Sequence, residues 1–273
     1  MKLEGKIVDF LGDSITEGAG VKDCENNRYD NRIKSRCNLK ATYNYGVGGT
    51  RIAHQRKPSE NPRFDLCFCG RAYDLNPKAD IIVVYGGIND YIHGDAPFGE
   101  KDDTTPQTFC GGVEFLMSLL EDLYPEADLI VVYGGINDYI HGDAPFGEIG
   151  DTTPQTFCGG VEFLMSLLEE LYPNAQKVFM TPARMQHGTM NDELPSQREM
   201  KYSDAKAVIE YVKIIEQTGK KHNIHVLNLY ERLPINPNII EHKEKYTVDG
   251  LHFNDEGHKI LAEALINFIE NEV

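Results

Sequence analysis

The sequence predicts an α/β fold: a three-layer α/β/α sandwich around a parallel sheet. Three observations predict it. Short apolar runs rich in Val and Ile recur along the chain, stretches with helical periodicity separate them, and Gly or Pro punctuates the changes from one to the other. Strands that alternate with helices imply right-handed crossovers, and ligands then sit beyond the carboxyl ends of the strands.

The first strand is Lys6 to Leu11, and a short helix follows at Tyr29 to Cys37. Ala41 to Tyr45 is the second strand. Residues 61–77, opened by Asn61-Pro62 and closed by Pro77, form a linker with one helical piece. Two strand–loop–helix units come next, with strands at Asp80 to Tyr85 and Asp128 to Tyr133 and helices at Thr108 to Leu123 and Thr156 to Leu171. Val178 to Thr181 is a strand closed by Pro182. Ala205, Val208, Ile209, Val212 and Ile215 keep a helical period, so a helix is expected over Tyr202 to Thr218 with Gly219 as its stop signal. Ile224 to Leu229 is the last strand. A loop rich in Pro and Asn leads to Asp249, and the final helix buries Leu261, Ala264, Leu265 and Phe268.

The two central units are copies of each other. Residues 79–126 and 127–174 align without gaps and differ only at Ile81/Leu129, Lys101/Ile149, Asp102/Gly150, Asp122/Glu170 and Glu126/Asn174. Two copies are too few for a solenoid, which needs about three repeats with atypical caps. The pattern reads as an in-frame duplication inside one domain spanning residues 1–273, a length that a single α/β unit can reach.

Chemistry concentrates at the two ends of the chain. Ser14 lies in Gly12-Asp13-Ser14-Ile15-Thr16-Glu17-Gly18, directly after the first strand, and Asp249-Gly250-Leu251-His252 precedes the final helix. A serine hydroxyl becomes a nucleophile when a histidine takes its proton, and a carboxylate fixes that histidine's tautomer. An Asp and a His three residues apart can present both side chains on one side of a turn. The Gly-x-Ser-x-Gly elbow of the α/β-hydrolase fold is missing, which argues against that fold.

At these residues the chain resembles the SGNH (GDSL) hydrolase family, in four blocks found in the family's order. They are Gly12 to Gly18, Asn44-Tyr45-Gly46-Val47-Gly48-Gly49, Gly87-Ile88-Asn89-Asp90 and Asp249 to His252. The resemblance implies a flavodoxin-like SGNH fold, with room for one extra strand–helix unit from the duplication. It implies Ser14 as nucleophile, His252 as base and Asp249 as its orienting acid. Ser14 N–H, Gly49 N–H and the side chain of Asn89 would then hold the oxyanion. Gly49 lacks a Cβ that would block close approach, and losing one such donor typically costs roughly 3–4 kcal/mol. The duplication supplies Asn137 as the alternative to Asn89, and only one can face Ser14. Placing copy one beside the first strand favours Asn89, and copy two then adds a strand farther along the sheet.

The implied function is hydrolysis of a small-molecule or carbohydrate ester by a serine esterase through an acyl-enzyme. The absence of an obvious hydrophobic lid favours a short acyl group such as acetyl. An inactive binding module that kept the fold, or an acyltransferase with the same triad, are the alternatives. No cofactor or metal is expected: His222, His225 and His242 lack ligand spacing, and Cys67-Phe68-Cys69 has no second pair. The net charge of −16 disfavours nucleic acid and anionic membrane as partners. The oligomeric state is left open. Cys110 and Cys158 are copies, so an unduplicated chain has an odd cysteine count, which argues against a disulfide framework. With no apolar leader in residues 1–30, a cytoplasmic location is expected. Asp13 reads as a structural hydrogen-bonding residue, His258 as a surface residue at a helix start, and His93 and His141 as loop residues near the substrate in one copy.

Overall fold

The computed structural model describes residues 1–87, 89–90, 94–134, 144–188, 190–194, 204 and 206–273. Six parallel strands form the central sheet: β1 (Ile7–Gly12), β2 (Ala41–Gly46), β3 (Ile81–Tyr85), β4 (Leu129–Tyr133), β5 (Gln176–Met180) and β8 (His225–Leu227). Their order across the sheet is β2-β1-β3-β4-β5-β8. Deleting β4 would leave the flavodoxin-like order 2-1-3-4-5, so the duplicated unit has added one strand in the middle of the sheet. A two-stranded antiparallel hairpin, β6 (Gln186–His187) and β7 (Met190–Asn191), stands apart from it.

Helices cover both faces. On one side lie α4 (Phe68–Arg71), α5 (Phe109–Leu123), α6 (Phe157–Leu171) and α7 (Val208–Lys221). On the other lie α3 (Tyr29–Cys37) and α10 (Asp255–Glu272), packed on each other. Short α-helices lie at α1 (Ser14–Glu17), α2 (Cys24–Asn27), α8 (Leu229–Arg232) and α9 (Ile240–Tyr246), and two 3-10 turns at Pro62–Asp65 and Ala72–Asp74. The central strands β3 and β4 read as unbroken apolar runs because both faces are buried. Leu11, Ile82, Val84, Ile130, Val132 and Phe179 enter the α5/α6 layer, while Phe10, Ile81, Val83, Val131 and Met180 enter the α3/α10 layer. This alternation is the period of two that a strand imposes.

Copy one and copy two pair directly. In β3 and β4 each residue faces its own counterpart, Ile81 against Leu129 through Val84 against Val132. The Tyr85 and Tyr133 rings that follow lie 4.3 Å apart. Copy one's strand is also the neighbour of β1, with Val8 opposite Ile81.

Three expectations are corrected. Gly219 does not stop α7: the helix runs on to Lys221. An added Cβ there would meet Val226 at 2.3 Å, so this glycine serves close approach of helix and strand. The Pro- and Asn-rich stretch before Asp249 is not all loop, because α9 occupies residues 240–246. His258 is fully buried in the first turn of α10 rather than at the surface. Its Nδ1 accepts the Tyr29 N–H at 3.3 Å, and its ring lies 5.7 Å from that of Tyr29. Among the described residues, no helix is long and apolar enough to cross a membrane.

Candidate active site

β1 ends at Gly12, and the chain turns at once into α1, whose first residue is Ser14. Asp13 caps that helix, its side chain accepting from the Ile15 N–H at 3.4 Å. Ser14 Oγ lies 3.0 Å from His252 Nε2. His252 Nδ1 lies 2.8 Å from Asp249 Oδ2, so three side chains drawn from opposite ends of the chain form one hydrogen-bonded line. The half-buried serine and histidine are open enough to meet a substrate.

The turn carrying Asp249 and His252 is held by its own backbone. Asp249 Oδ1 accepts from the N–H groups of Leu251 and His252, at 2.9 and 2.8 Å. Thr247 Oγ1 accepts from Gly250 N–H at 2.9 Å, and Thr247 bridges to Phe253. Burial pushes the Asp249 carboxyl up, but hydrogen bonds from the His252 side chain and from two backbone N–H groups outweigh it. The carboxyl is therefore held below its ordinary range and stays ionised beside the imidazole. The β6–β7 hairpin clamps the same turn. Gln186 N–H donates to the Gly250 carbonyl at 3.1 Å, and His187 Nδ1 lies 3.2 Å from the Asp249 carbonyl.

The loop after β2 closes over Ser14. Gly48 N–H donates to Glu17 Oε2 at 2.8 Å, and Glu17 in turn pairs with Arg63. Gly49 has φ of 77°, and a Cβ there would meet the Phe64 ring at 2.7 Å. Both facts demand glycine. Beneath this loop runs Arg71, a buried cation whose partners are oxygens without formal charge. It donates to the carbonyls of Gly12 (3.1 Å), Leu66 (2.9 Å) and Tyr45, and to Thr50 Oγ1 (2.7 Å). Arg71 thus ties the ends of β1 and β2 to the turn that presents Gly49. Burial lowers its guanidinium pKa to about 10.

Asn89 is buried, and its Nδ2 donates to Asp13 Oδ2 at 3.3 Å. That bond places the amide beside the residue preceding Ser14 and leaves its second N–H for another acceptor. Burial raises the Asp13 carboxyl pKa to about 6 against hydrogen bonding from Ile15. Asp90 ties the loop after Gly49 to the same strand end, its two oxygens accepting from Ile52 and Ala53 N–H at 2.8 Å each. Burial raises its pKa to about 7.

Ser14, His252 and Asp249 are therefore directly linked, and Asn89 joins them through Asp13. Asn137, His93 and His141 lie outside the described residues. No group of three metal-ligating side chains gathers among the described residues. The sequence did not reveal Arg71, His187 or the Asp13–Asn89 bond. Each depends on a contact between distant segments, and the only local signal was the helical piece that carries Arg71.

The model of the GDSL-like lipase/acylhydrolase family matches residues 10–127 and again 103–260, two matches that overlap over residues 103–127. No curated protein matches the chain. A crystal structure of a protein from Lactobacillus plantarum is similar over 99% of both chains, with 21% identity and a TM-score of 0.59. A candidate GDSL-like lipase from Bacteroides uniformis is 14% identical over 97% of this chain and 95% of that one, with a TM-score of 0.51. A candidate arylesterase from Agrobacterium tumefaciens is 14% identical over 98% and 100%, with a TM-score of 0.53. At these identities the structural likeness speaks to the fold, while the family match spans most of the sequence. The chain belongs to the GDSL-like lipase/acylhydrolase family, a family of ester hydrolases.

Proposed function

We propose that the protein is a serine esterase that cleaves a carboxylic ester through an acyl-enzyme, with Ser14 as nucleophile. The observation that carries this reading is the line from Ser14 Oγ through His252 to Asp249, with separations of 3.0 and 2.8 Å. Asp249 accepts the Nδ1 proton of His252, which leaves Nε2 as the base. Ser14 Oγ attacks the ester carbonyl carbon as its proton passes to Nε2. The carbonyl oxygen becomes an oxyanion, held by the N–H groups of Ser14 and Gly49 and by the amide of Asn89.

Collapse of this intermediate breaks the bond to the alcohol oxygen, which leaves with the proton from His252. A water then gives a proton to His252 and attacks the acyl-enzyme, and the second collapse releases the acid and restores the serine hydroxyl. Asp249 stays ionised throughout, which agrees with its lowered pKa.

The test is turnover of p-nitrophenyl acetate by wild type, Ser14→Ala and His252→Ala, with intact-mass detection of fluorophosphonate adducts. Loss of nearly all turnover in both variants, on the order of a thousandfold or more, and an adduct confined to Ser14 are expected. Wild-type turnover in Ser14→Ala removes the assignment. An unlabelled, inactive wild-type protein selects the inactive binding module instead.

A further inference from the structure

We infer that the seam between the two copies is a binding pocket for the acyl chain of the ester, able to take a chain well beyond acetyl. Its use in catalysis rests on the esterase reading above; its existence as an apolar binding site does not.

The seam holds a cavity of about 610 Å³. Protein interiors are close-packed, with few voids larger than a water molecule, and this volume falls in the range of about 300–1,000 Å³ typical of small-molecule sites. Val84, Val132 and Phe179, on three neighbouring strands, form its floor. Val113 and Leu116 on α5 face Val161 and Leu164 on α6 across it. These strand and helix side chains offer carbon and no charge, which suits an alkyl chain.

One end of the cavity lies just past the end of β3, next to Asn89. Gly86, Gly87 and Asp90 line it and lie on either side of Asn89. A Cβ on Gly86 would meet the Phe68 ring at 2.3 Å and stand 3.3 Å from Asp13 Oδ2, in the residue immediately before Ser14. An ester carbonyl at Ser14 could therefore direct its chain past the end of β3 into the seam. Asp90 and Glu100 at the lining disfavour a free carboxylate and favour a neutral tail.

The duplication explains why such a space exists. Different faces of the repeated helix meet at the seam, Cys110 and Met117 lining it from α5 and Gly160 and Phe163 from α6, and these two faces were not shaped for each other. The paired glycines record the difference. Gly112 stands against Ala53, which an added Cβ would meet at 3.2 Å, whereas a Cβ on Gly160 would meet only the Pro154 carbonyl, at 3.9 Å. A Cβ at Gly160, which lines the cavity, thus meets no clash, and replacing a glycine in the first turns of a helix favours folding.

The experiment compares p-nitrophenyl acetate with p-nitrophenyl decanoate in wild type and Gly160→Phe. The ratio of kcat/KM for decanoate over acetate should fall by about tenfold or more, the scale of discrimination a filled apolar pocket gives. An unchanged ratio in a folded variant overturns the proposal. A second measurement needs no turnover. The chain has no tryptophan, so Phe163→Trp, on the cavity wall, places a single fluorophore there. Saturable change in its emission with 1-decanol, abolished by adding Gly160→Phe, is expected. A folded Phe163→Trp protein that does not respond to decanol overturns the pocket even if the esterase reading stands. A protein that binds decanol yet hydrolyses neither ester keeps the pocket and loses the esterase reading.

Discussion

Copies one and two share nearly all their residues, and they agree closely wherever the bonds are local. Thr108 caps α5 at 3.0 Å and bonds Asp103 at 2.8 Å; Thr156 does the same for α6, with Asp151, at the same distances. The copies part where bonds reach outward. Tyr124 donates to the carbonyls of Ala72 and Leu75, but Tyr172 donates to Met117 of copy one. Phe98 is 41% exposed, while its counterpart Phe146 meets Tyr211 edge-on with ring centres 5.0 Å apart. Identical sequence thus sets helix, cap and loop, while position in the sheet sets burial and partners. Of the two, it is copy one that adjoins β1 and brings Asn89 to Asp13.

The largest stability effect is expected on the face that received no extra helix. Burial lowers the His258 pKa to about 4, against an ordinary 6.5. The unfolded chain therefore gains a proton below about pH 6.5 that the fold refuses until about pH 4, and stability falls as pH drops through that window. A shift of this size corresponds to about 3 kcal/mol. His258→Asn keeps an acceptor for Tyr29 N–H but does not titrate. Urea unfolding from pH 7 to 4 should show wild type losing about that much relative to the variant. Parallel curves would mean that His258 is not held neutral.

Next in size are the two tyrosines. Tyr124→Phe takes the donor from the Leu75 carbonyl, at about 1–3 kcal/mol for a buried group left unpaired, whereas the Met117 carbonyl that Tyr172→Phe uncovers lies inside α5 and keeps its helical bond. Tyr124→Phe should be the more destabilising in denaturant melts. Equal losses would indicate that the copies occupy equivalent surroundings. The smallest effect concerns the caps: Thr108→Ala and Thr156→Ala should each cost about 1 kcal/mol. A difference between them larger than that cost would show that position reaches even the local structure.

Much of the fold was legible because buried parallel strands leave unmistakable apolar runs and the helices between them keep their period. The strand–helix alternation followed from that alone, while the place of the repeated unit rested on the order of the family's blocks. The motif residues were legible because Ser14 and His252 sit where a strand or turn ends. Other features were not. His258 looked like a polar residue at a helix start, and only Tyr29, packed over it from α3, buries it. Gly219 carried a stop signal's identity, yet Val226 explains it. Arg71 and the seam cavity arise from segments far apart in sequence, and no local pattern encodes them.

The claim that copy one serves the active site is tested most directly by turnover of Asn89→Ala and Asn137→Ala, measured side by side with p-nitrophenyl acetate. Asn89→Ala should lose on the order of a hundredfold or more in kcat, and Asn137→Ala should stay close to wild type. Loss confined to Asn137→Ala would contradict the placement, and wild-type turnover in both would contradict the amide's role in holding the oxyanion.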